Sequence, residues 1–126
     1  LNEVKNLKTF SVCTQILRIA QNDKLKLKNM KSVMITFDQA FYERILKTLD
    51  RLNCRGFSYF QDVQGRGSKT GEPHYGSHAW PSMCSAIITV VDDQRVDPLL
   101  EALQAMDKET EMLGLRAFVW NVEKSI

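Results

Sequence analysis

Residues 56–91 read GFSYFQDVQGRGSKTGEPHYGSHAWPSMCSAIITVV, and this stretch decides the fold. Its two ends, residues 57–64 and 83–91, are rich in aromatic and β-branched side chains, which is typical of strands. Residues 65–81, which lie between them, hold four of the six glycines and both histidines, and show no hydrophobic period. A connection longer than about 12–15 residues is uncommon in a compact domain unless it is functional or disordered. We therefore expect a small sheet that displays one long polar loop.

The segment before this stretch supplies a strand and a helix. Residues 31–37, KSVMITF, are predicted to form the first strand because of their β-branched content. Asp38 is a suitable N-cap for the helix that follows, and Gly56 is expected to end that helix in the left-handed conformation. The helix carries one apolar face with helical spacing, formed by Tyr42, Ile45, Leu46, Leu49 and Leu52.

A second helix and a fourth strand follow residue 91. Asp97 is predicted to cap the helix, with Pro98 in its first turn, where the missing N–H costs nothing. Residues 115–122, LRAFVWNV, form the last strand. The order strand, helix, strand, strand, helix, strand predicts an α+β, ferredoxin-like βαββαβ fold, in which a four-stranded antiparallel sheet carries two helices on one face. The other face would expose aromatic side chains, so we expect a homo-oligomer.

Composition indicates a single globular domain. The chain has 126 residues, of which 44% are hydrophobic and 25% are charged, and no apolar run approaches the roughly 18 residues that suggest a membrane span. Three widely spaced cysteines without a CxxC pair predict neither a disulfide framework nor a zinc site. Together with a start that lacks the layout of a secretory signal, they favour the cytoplasm.

Charge divides the chain into two parts. Residues 1–29 hold six basic and two acidic residues, whereas residues 30–126 hold 11 basic and 13 acidic residues. We interpret residues 1–29 as an N-terminal extension or tag-like appendage, with a short amphipathic helix in residues 9–21, and residues 30–126 as the domain. The appendage is either a peripheral segment or a basic anchor to a membrane or to RNA. The acidic domain has no RNP-type motif and is not expected to bind nucleic acid.

The base of the loop has the composition of an anion-binding segment. Gly65 and Gly67 allow close backbone approach, and Arg66, Ser68 and Lys69 supply hydrogen-bond donors. The alternative is that the glycines only permit a bend or bulge at the end of a strand. Neither a Walker A sequence nor a G-x-G-x-x-G motif that opens a helix is present.

The middle of the loop offers ligands for a metal ion. Glu72, His74 and His78, with Cys84 beyond them, suit a soft or borderline divalent metal, although their spacing matches no zinc signature. The alternative is that both histidines are solvated or hydrogen-bonded loop residues.

The loop also contains two large aromatic residues that are costly to expose, Tyr75 and Trp80. They predict either a docking surface for a partner protein or packing against a neighbouring subunit. Ser77 beside His78 does not form a triad, and no nucleophile can be paired with a base in the sequence, so we expect no enzyme and no catalytic residue.

Residues 30–123 resemble the PII signalling proteins and their PII-like relatives. The resemblance is carried by Gly56 with the aromatic strand after it, by DVQGRGSKTG (62–71) and by DDQRVDPLLEAL (92–103). It implies a homotrimer that binds a small effector, often an adenine nucleotide, between subunits at the base of the loop. It also implies that this loop, the T-loop of the family, contacts a target protein such as a membrane transporter.

The effector residues implied by the resemblance lie at the loop base and near the last strand: Gly65, Arg66, Gly67, Ser68, Lys69 and Arg116. PII proteins have a turn ending in Gly-Asp-Gly-Lys that holds nucleotide phosphates, and the corresponding stretch here is ETEMLGLRAF (109–118). Because of this departure, the similarly folded CutA divalent-cation tolerance proteins are an alternative, with the loop histidines as metal ligands.

Overall fold

The computed structural model describes residues 12–21 and 29–126. In chain order they form α1 (residues 12–21), β1 (Met30–Asp38), a 3-10 turn (Gln39–Phe41), α2 (Tyr42–Arg51), β2 (Phe57–Val63), β3 (Cys84–Asp92), α3 (Asp93–Glu109), a 3-10 turn (Glu111–Leu113) and β4 (Arg116–Asn121). Among these residues, no helix has both the length and the apolar character needed to cross a membrane.

The helix α1 occupies part of the predicted appendage. Five of the six basic residues of that segment lie in residues 1–11 and 22–28, outside the described residues, together with the basic stretch that links the appendage to β1. The division of the chain into an appendage and a domain therefore stays a prediction.

The four strands form one antiparallel sheet in the order β2-β3-β1-β4. The central strand β1 pairs with β3 from Met30↔Asp92 to Asp38↔Cys84, and with β4 on its other side. The amide of Val122, just after β4, donates a hydrogen bond to the carbonyl of Met30 at 3.2 Å. This topology confirms the predicted ferredoxin-like βαββαβ fold.

The core lies between the sheet and the helices α2 and α3. Alternate residues of β1 point toward the helices, as the period of two requires, and Val33, Ile35 and Phe37 are fully buried. They pack with Ile45 of α2 and Leu99 of α3. Burying each such side chain contributes about 1.5–3 kcal/mol to stability, so this layer holds the sheet rigid beneath the loop.

The opposite face of the sheet is open. The register places Phe60 of β2 and Phe118 and Trp120 of β4 on the side away from the helices, where they are 50%, 58% and 47% exposed. Val90 of β3 is exposed on the same face. The uncovered aromatic face expected from the sequence is therefore present.

Both ends of α2 and the start of α3 differ from the sequence prediction. Asp38 caps the 3-10 turn Gln39–Phe41, and α2 itself begins at Tyr42. Asn53, and not Gly56, has the left-handed conformation after α2, with φ +58°. Asparagine tolerates that conformation, and the amide of Cys54 can then donate to the Leu49 carbonyl at 2.8 Å.

The helix α3 begins at Asp93, so the prediction that Asp97 caps it is wrong, and Pro98 lies inside the helix.

The earlier start of α3 has a tertiary cause. The amide of Asp93 donates to the carbonyl of Asn29 at 2.7 Å, and Val96 in the first turn is buried in the core. Both contacts favour helical geometry before the proline. Because Pro98 lacks an N–H, one carbonyl of the first turn loses its usual partner.

Candidate functional site

The loop between β2 and β3 crosses one end of the sheet. Val63 ends β2 and Cys84 begins β3, and both lie at the end of the sheet where Asp38 ends β1. Gly67 lies against Gly114, just before β4. Since β2 and β4 are opposite edges of the sheet, the first half of the loop passes across the ends of the two strands between them.

The first half of the loop, residues 65–74, is closed by backbone hydrogen bonds between its ends, and we call it the closed segment. Gly65 donates to the carbonyl of His74 at 3.0 Å, and His74 donates to the carbonyl of Gly65 at 2.8 Å. Within it, the Ser68 hydroxyl accepts from the amide of Gly71 at 2.8 Å, which stabilises a turn. The predicted anion-binding residues therefore lie in a structure ordered by its own hydrogen bonds.

The second half of the loop is a hairpin with an exposed tip. Tyr75 pairs with Met83, and Gly76, at φ +60°, packs against the Met83 side chain. At the tip the Ser77 amide donates to the Trp80 carbonyl at 2.9 Å, and the Trp80 amide donates to the Ser77 hydroxyl at 3.1 Å. Trp80 is 42% exposed and Tyr75 is also exposed, so both residues predicted to dock a partner lie at the surface.

His74 is buried although it belongs to a polar loop. Its side chain is 2% exposed, and Nε2 lies 3.1 Å from Oδ2 of Asp38. The two atoms are at an ion-pair distance without the alignment of a hydrogen bond, and Nδ1 has no hydrogen-bond partner among the described residues. Asp38 is fixed independently, because its Oδ1 accepts from the amide of Ala40 at 2.8 Å and so caps the 3-10 turn.

The thiol of Cys84 lies beside this pair. Cys84 is directly opposite Asp38 in the ladder between β1 and β3 and is buried. Burial, and to a lesser extent the negative charge of Asp38, raises the pKa of this thiol. Burial also raises the pKa of the Cys54 thiol, against a smaller opposing effect of Arg95. Both cysteines are buried small side chains in the fold.

The loop half of the predicted effector site lies close to the start of β4. Arg66 and Lys69 are exposed, and Ser68 is half-buried. A Cβ atom on Gly67 would lie 2.5 Å from the carbonyl oxygen of Gly114, so only glycine permits this approach. The close contact of the two backbones brings the segment that carries these cations toward the last strand.

Arg116, the first residue of β4, is held by α3. Its Nη1 donates to Oδ2 of Asp107 at 3.1 Å and to the carbonyl of Leu115 at 2.6 Å. An open cavity of about 370 Å³ between α3 and β4 borders this residue, with Leu103 and Gln104 among its walls. The guanidinium group carries further N–H donors. Along the chain, Arg116 comes two residues after Gly114, the residue that contacts Gly67.

The predicted metal ligands are not brought together. His74 is buried against Asp38, whereas Glu72 and His78 are exposed. Within residues 12–21 and 29–126, no group of three or more His, Cys, Asp or Glu side chains is arranged to hold a metal ion. The metal-binding alternative therefore gains no support from the geometry.

Three residues of this region make contacts that the sequence does not reveal: Asp38, Asp107 and Gly114. The sequence around Asp38 indicates only a helix cap. Its contact with His74 joins distant parts of the chain, so no local pattern predicts that contact. Gly114 has a weak signal, as the single glycine after residue 76. Its φ of +69° and its contact with Gly67 explain why glycine is required there.

A ferredoxin-like sheet with a long folded loop between β2 and β3 is an architecture shared with solved PII-like signalling proteins. The chain belongs to the nitrogen regulatory protein P-II family, whose family model matches residues 30–126. A search of curated proteins finds no match.

Solved structures of PII-like proteins share this fold. CPII from Thiomonas intermedia K12, a nitrogen regulatory PII-like protein bound to ADP, AMP and bicarbonate, is 23% identical with a TM-score of 0.62, over 74% of this chain and 85% of that chain. CPII bound to ADP and bicarbonate gives 25% identity and a TM-score of 0.61 over the same shares. The GlnK-ATP complex from B. subtilis is 20% identical with a TM-score of 0.58, over 77% of this chain and 84% of that chain.

Proposed function

We propose that this protein is a homotrimeric PII-type regulator that acts in the cytoplasm. It binds an adenine nucleotide between subunits, near the closed segment and Arg116, and it controls a partner protein through the tip of its loop. It works by binding and conformational change, without catalysis.

The contact between Gly67 and Gly114 carries the proposal. It brings a glycine-rich segment with the exposed cations Arg66 and Lys69 to the start of β4, where Arg116 adds a third cation. Backbone amides and cationic side chains that converge in a turn favour binding of phosphate groups. The open aromatic face of the sheet supports self-association, which would create clefts between subunits.

The comparisons support an adenine nucleotide as the effector. CPII is bound to ADP and AMP, GlnK is in complex with ATP, and both proteins share the fold of this chain. CPII is also bound to bicarbonate together with ADP, so bicarbonate is a second effector to examine once a nucleotide is bound.

Isothermal titration calorimetry of the full chain with ADP, AMP and ATP tests the nucleotide, with and without bicarbonate. We expect Arg66→Ala and Lys69→Ala each to weaken binding about tenfold or more, because a hydrogen bond to a charged group contributes roughly 1.5–3 kcal/mol. Lys47→Ala, a lysine on the outer face of α2, is the control and should leave the affinity unchanged. Absence of binding with all three nucleotides contradicts the proposal.

The partner-binding role is assigned to the hairpin tip. A turn held by two hydrogen bonds presents the Trp80 side chain with little conformational entropy left to lose, which favours an aromatic anchor. A membrane transporter is the kind of partner implied by the resemblance to the family. Trp80→Ala should abolish capture of the partner while nucleotide affinity and oligomeric state stay unchanged, and retained capture would exclude the tip.

A further inference from the structure

His74 differs from the other histidine of its loop in a way that calls for a physical explanation. His78 lies at the exposed tip, whereas the His74 side chain is 2% exposed beside Asp38. Burial of a polar side chain without hydrogen bonds is unfavourable, so packing and the contact with Asp38 must offset that cost. The buried imidazole therefore links the loop to Asp38 at the end of the sheet.

The backbone of His74 is linked directly to the start of the closed segment. Its N–H and C=O are both bonded to Gly65, and two residues later Gly67 lies against Gly114. A displacement of His74 therefore moves Gly65 and breaks or shifts the contact at Gly67. The position of the cations in this segment depends on the docking of one imidazole.

The other half of the contact is rigid. Asp38 is the last residue of the central strand β1, and its side chain also caps the 3-10 turn through Ala40. Its strand pairs with β3 as far as Asp38↔Cys84 and with β4 as far as Thr36↔Arg116, so we expect Asp38 to keep this place when the loop is released. We therefore expect His74, and not Asp38, to move when the loop leaves the end of the sheet.

We propose that His74 is a positioning residue: by docking on Asp38 it holds the closed segment against the end of the sheet and so sets the effector affinity of that segment. The effect on affinity rests on the proposed function, whereas the docking itself does not. Release of His74 converts the loop from an ordered to a mobile state and separates Arg66 and Lys69 from Arg116.

Cys84 provides a direct readout of docking in the nucleotide-free protein. It lies opposite Asp38, buried at the same end of the sheet. In a Cys13→Ser background, which removes the exposed thiol, we expect His74→Ala to speed labelling of Cys84 by a thiol reagent about tenfold, as local opening does for protected groups. Hydrogen exchange of residues 65–76 should accelerate in parallel. His78→Ala is the matched control and should change neither rate.

A second variant keeps the test decisive if His74→Ala folds poorly. Asp38→Asn retains a side chain able to cap the 3-10 turn and removes the negative charge that faces His74. Because the Asp38 charge raises the pKa of Cys84, its removal speeds thiol labelling by itself, so hydrogen exchange of residues 65–76 is the readout for this variant. Exchange should accelerate in the same direction as in His74→Ala, and in the double variant the two effects should not add. Exchange at wild-type rates in both single variants would overturn the docking role.

Nucleotide titration separates the two proposals. If the wild-type chain binds ADP or ATP, His74→Ala should weaken that binding about tenfold while His78→Ala does not. Unchanged affinity in a variant whose loop is released would overturn the positioning role. If the wild-type chain binds no nucleotide, the proposed function fails, and the labelling and exchange rates still decide whether His74 docks the loop.

Discussion

Gly65 and Gly67 lie two residues apart but have different surroundings. A Cβ on Gly65 would meet no atom within 4 Å, whereas on Gly67 it would meet the backbone of Gly114. We expect Gly67→Ala to destabilise the protein by about 1–3 kcal/mol, because backbone cannot move aside as a side chain can. Urea denaturation monitored by circular dichroism measures this, with Gly65→Ala as the control. Equal effects of the two substitutions would contradict the contact.

The buried thiol of Cys84 makes stability depend on pH in the alkaline range. The pKa of this thiol is raised in the folded protein. The stability that the neutral thiol contributes is therefore full below the pKa of the unfolded thiol, about 8.5, and is lost as pH rises from there through the higher pKa of the folded thiol. The free energy of unfolding should therefore fall less steeply above about pH 8.5 in Cys84→Ala than in wild type. Cys13→Ser, which changes an exposed thiol, should keep the wild-type slope.

The sequence predicts the residue types of the candidate site better than their contacts. Glycines and cations at the loop base are visible as a pattern, and Tyr75 and Trp80 are exposed as a docking surface requires. The burial of His74 could not be predicted, because a buried and an exposed histidine have the same local signature. Its environment depends on Asp38, which only the folded sheet brings close.

At the scale of elements, the end of α2 depends on one residue. Asn53 has φ +58°, a conformation in which a Cβ costs roughly 1–2 kcal/mol and which asparagine tolerates better than alanine. We expect Asn53→Ala to destabilise the protein by about 1 kcal/mol and Asn53→Gly to be nearly neutral. Thermal denaturation of the two variants checks this, and a glycine variant as unstable as the alanine variant would contradict it.

The elements themselves follow from local patterns, and their boundaries follow from tertiary contacts. The predicted strands 31–37 and 83–91 match β1 and β3 within one residue at each end, because β-branched runs bounded by polar residues are a strong signal. The sequence prediction places the start of α3 too late, because Asp97 and Pro98 form a strong local start signal. The true start of α3 is favoured by the hydrogen bond from Asp93 to Asn29, a tertiary contact that the local sequence does not show.

At the scale of the whole molecule, the open sheet face should govern assembly. Phe118 lies exposed in the aromatic patch with Trp120 and Phe60, and a charge introduced there would be buried without a partner in an oligomer. We expect Phe118→Glu to shift sedimentation velocity profiles from a trimer to a smaller species. Met112→Glu, at an equally exposed apolar residue outside the sheet, should leave the trimer intact. A trimer in both variants would place the interface elsewhere.

The hydrogen bond between Val122 and Met30 makes the outer ends of β1 and β4 neighbours. A short linker could therefore join the end of β4 to the residue before β1. The new N- and C-termini would then lie at the loop tip, between His78 and Ala79. Such a circular permutant should retain the order of strands in the sheet, and cooperative melting would show it. The gene could then begin inside the loop, with fusion partners attached where a target is expected to dock.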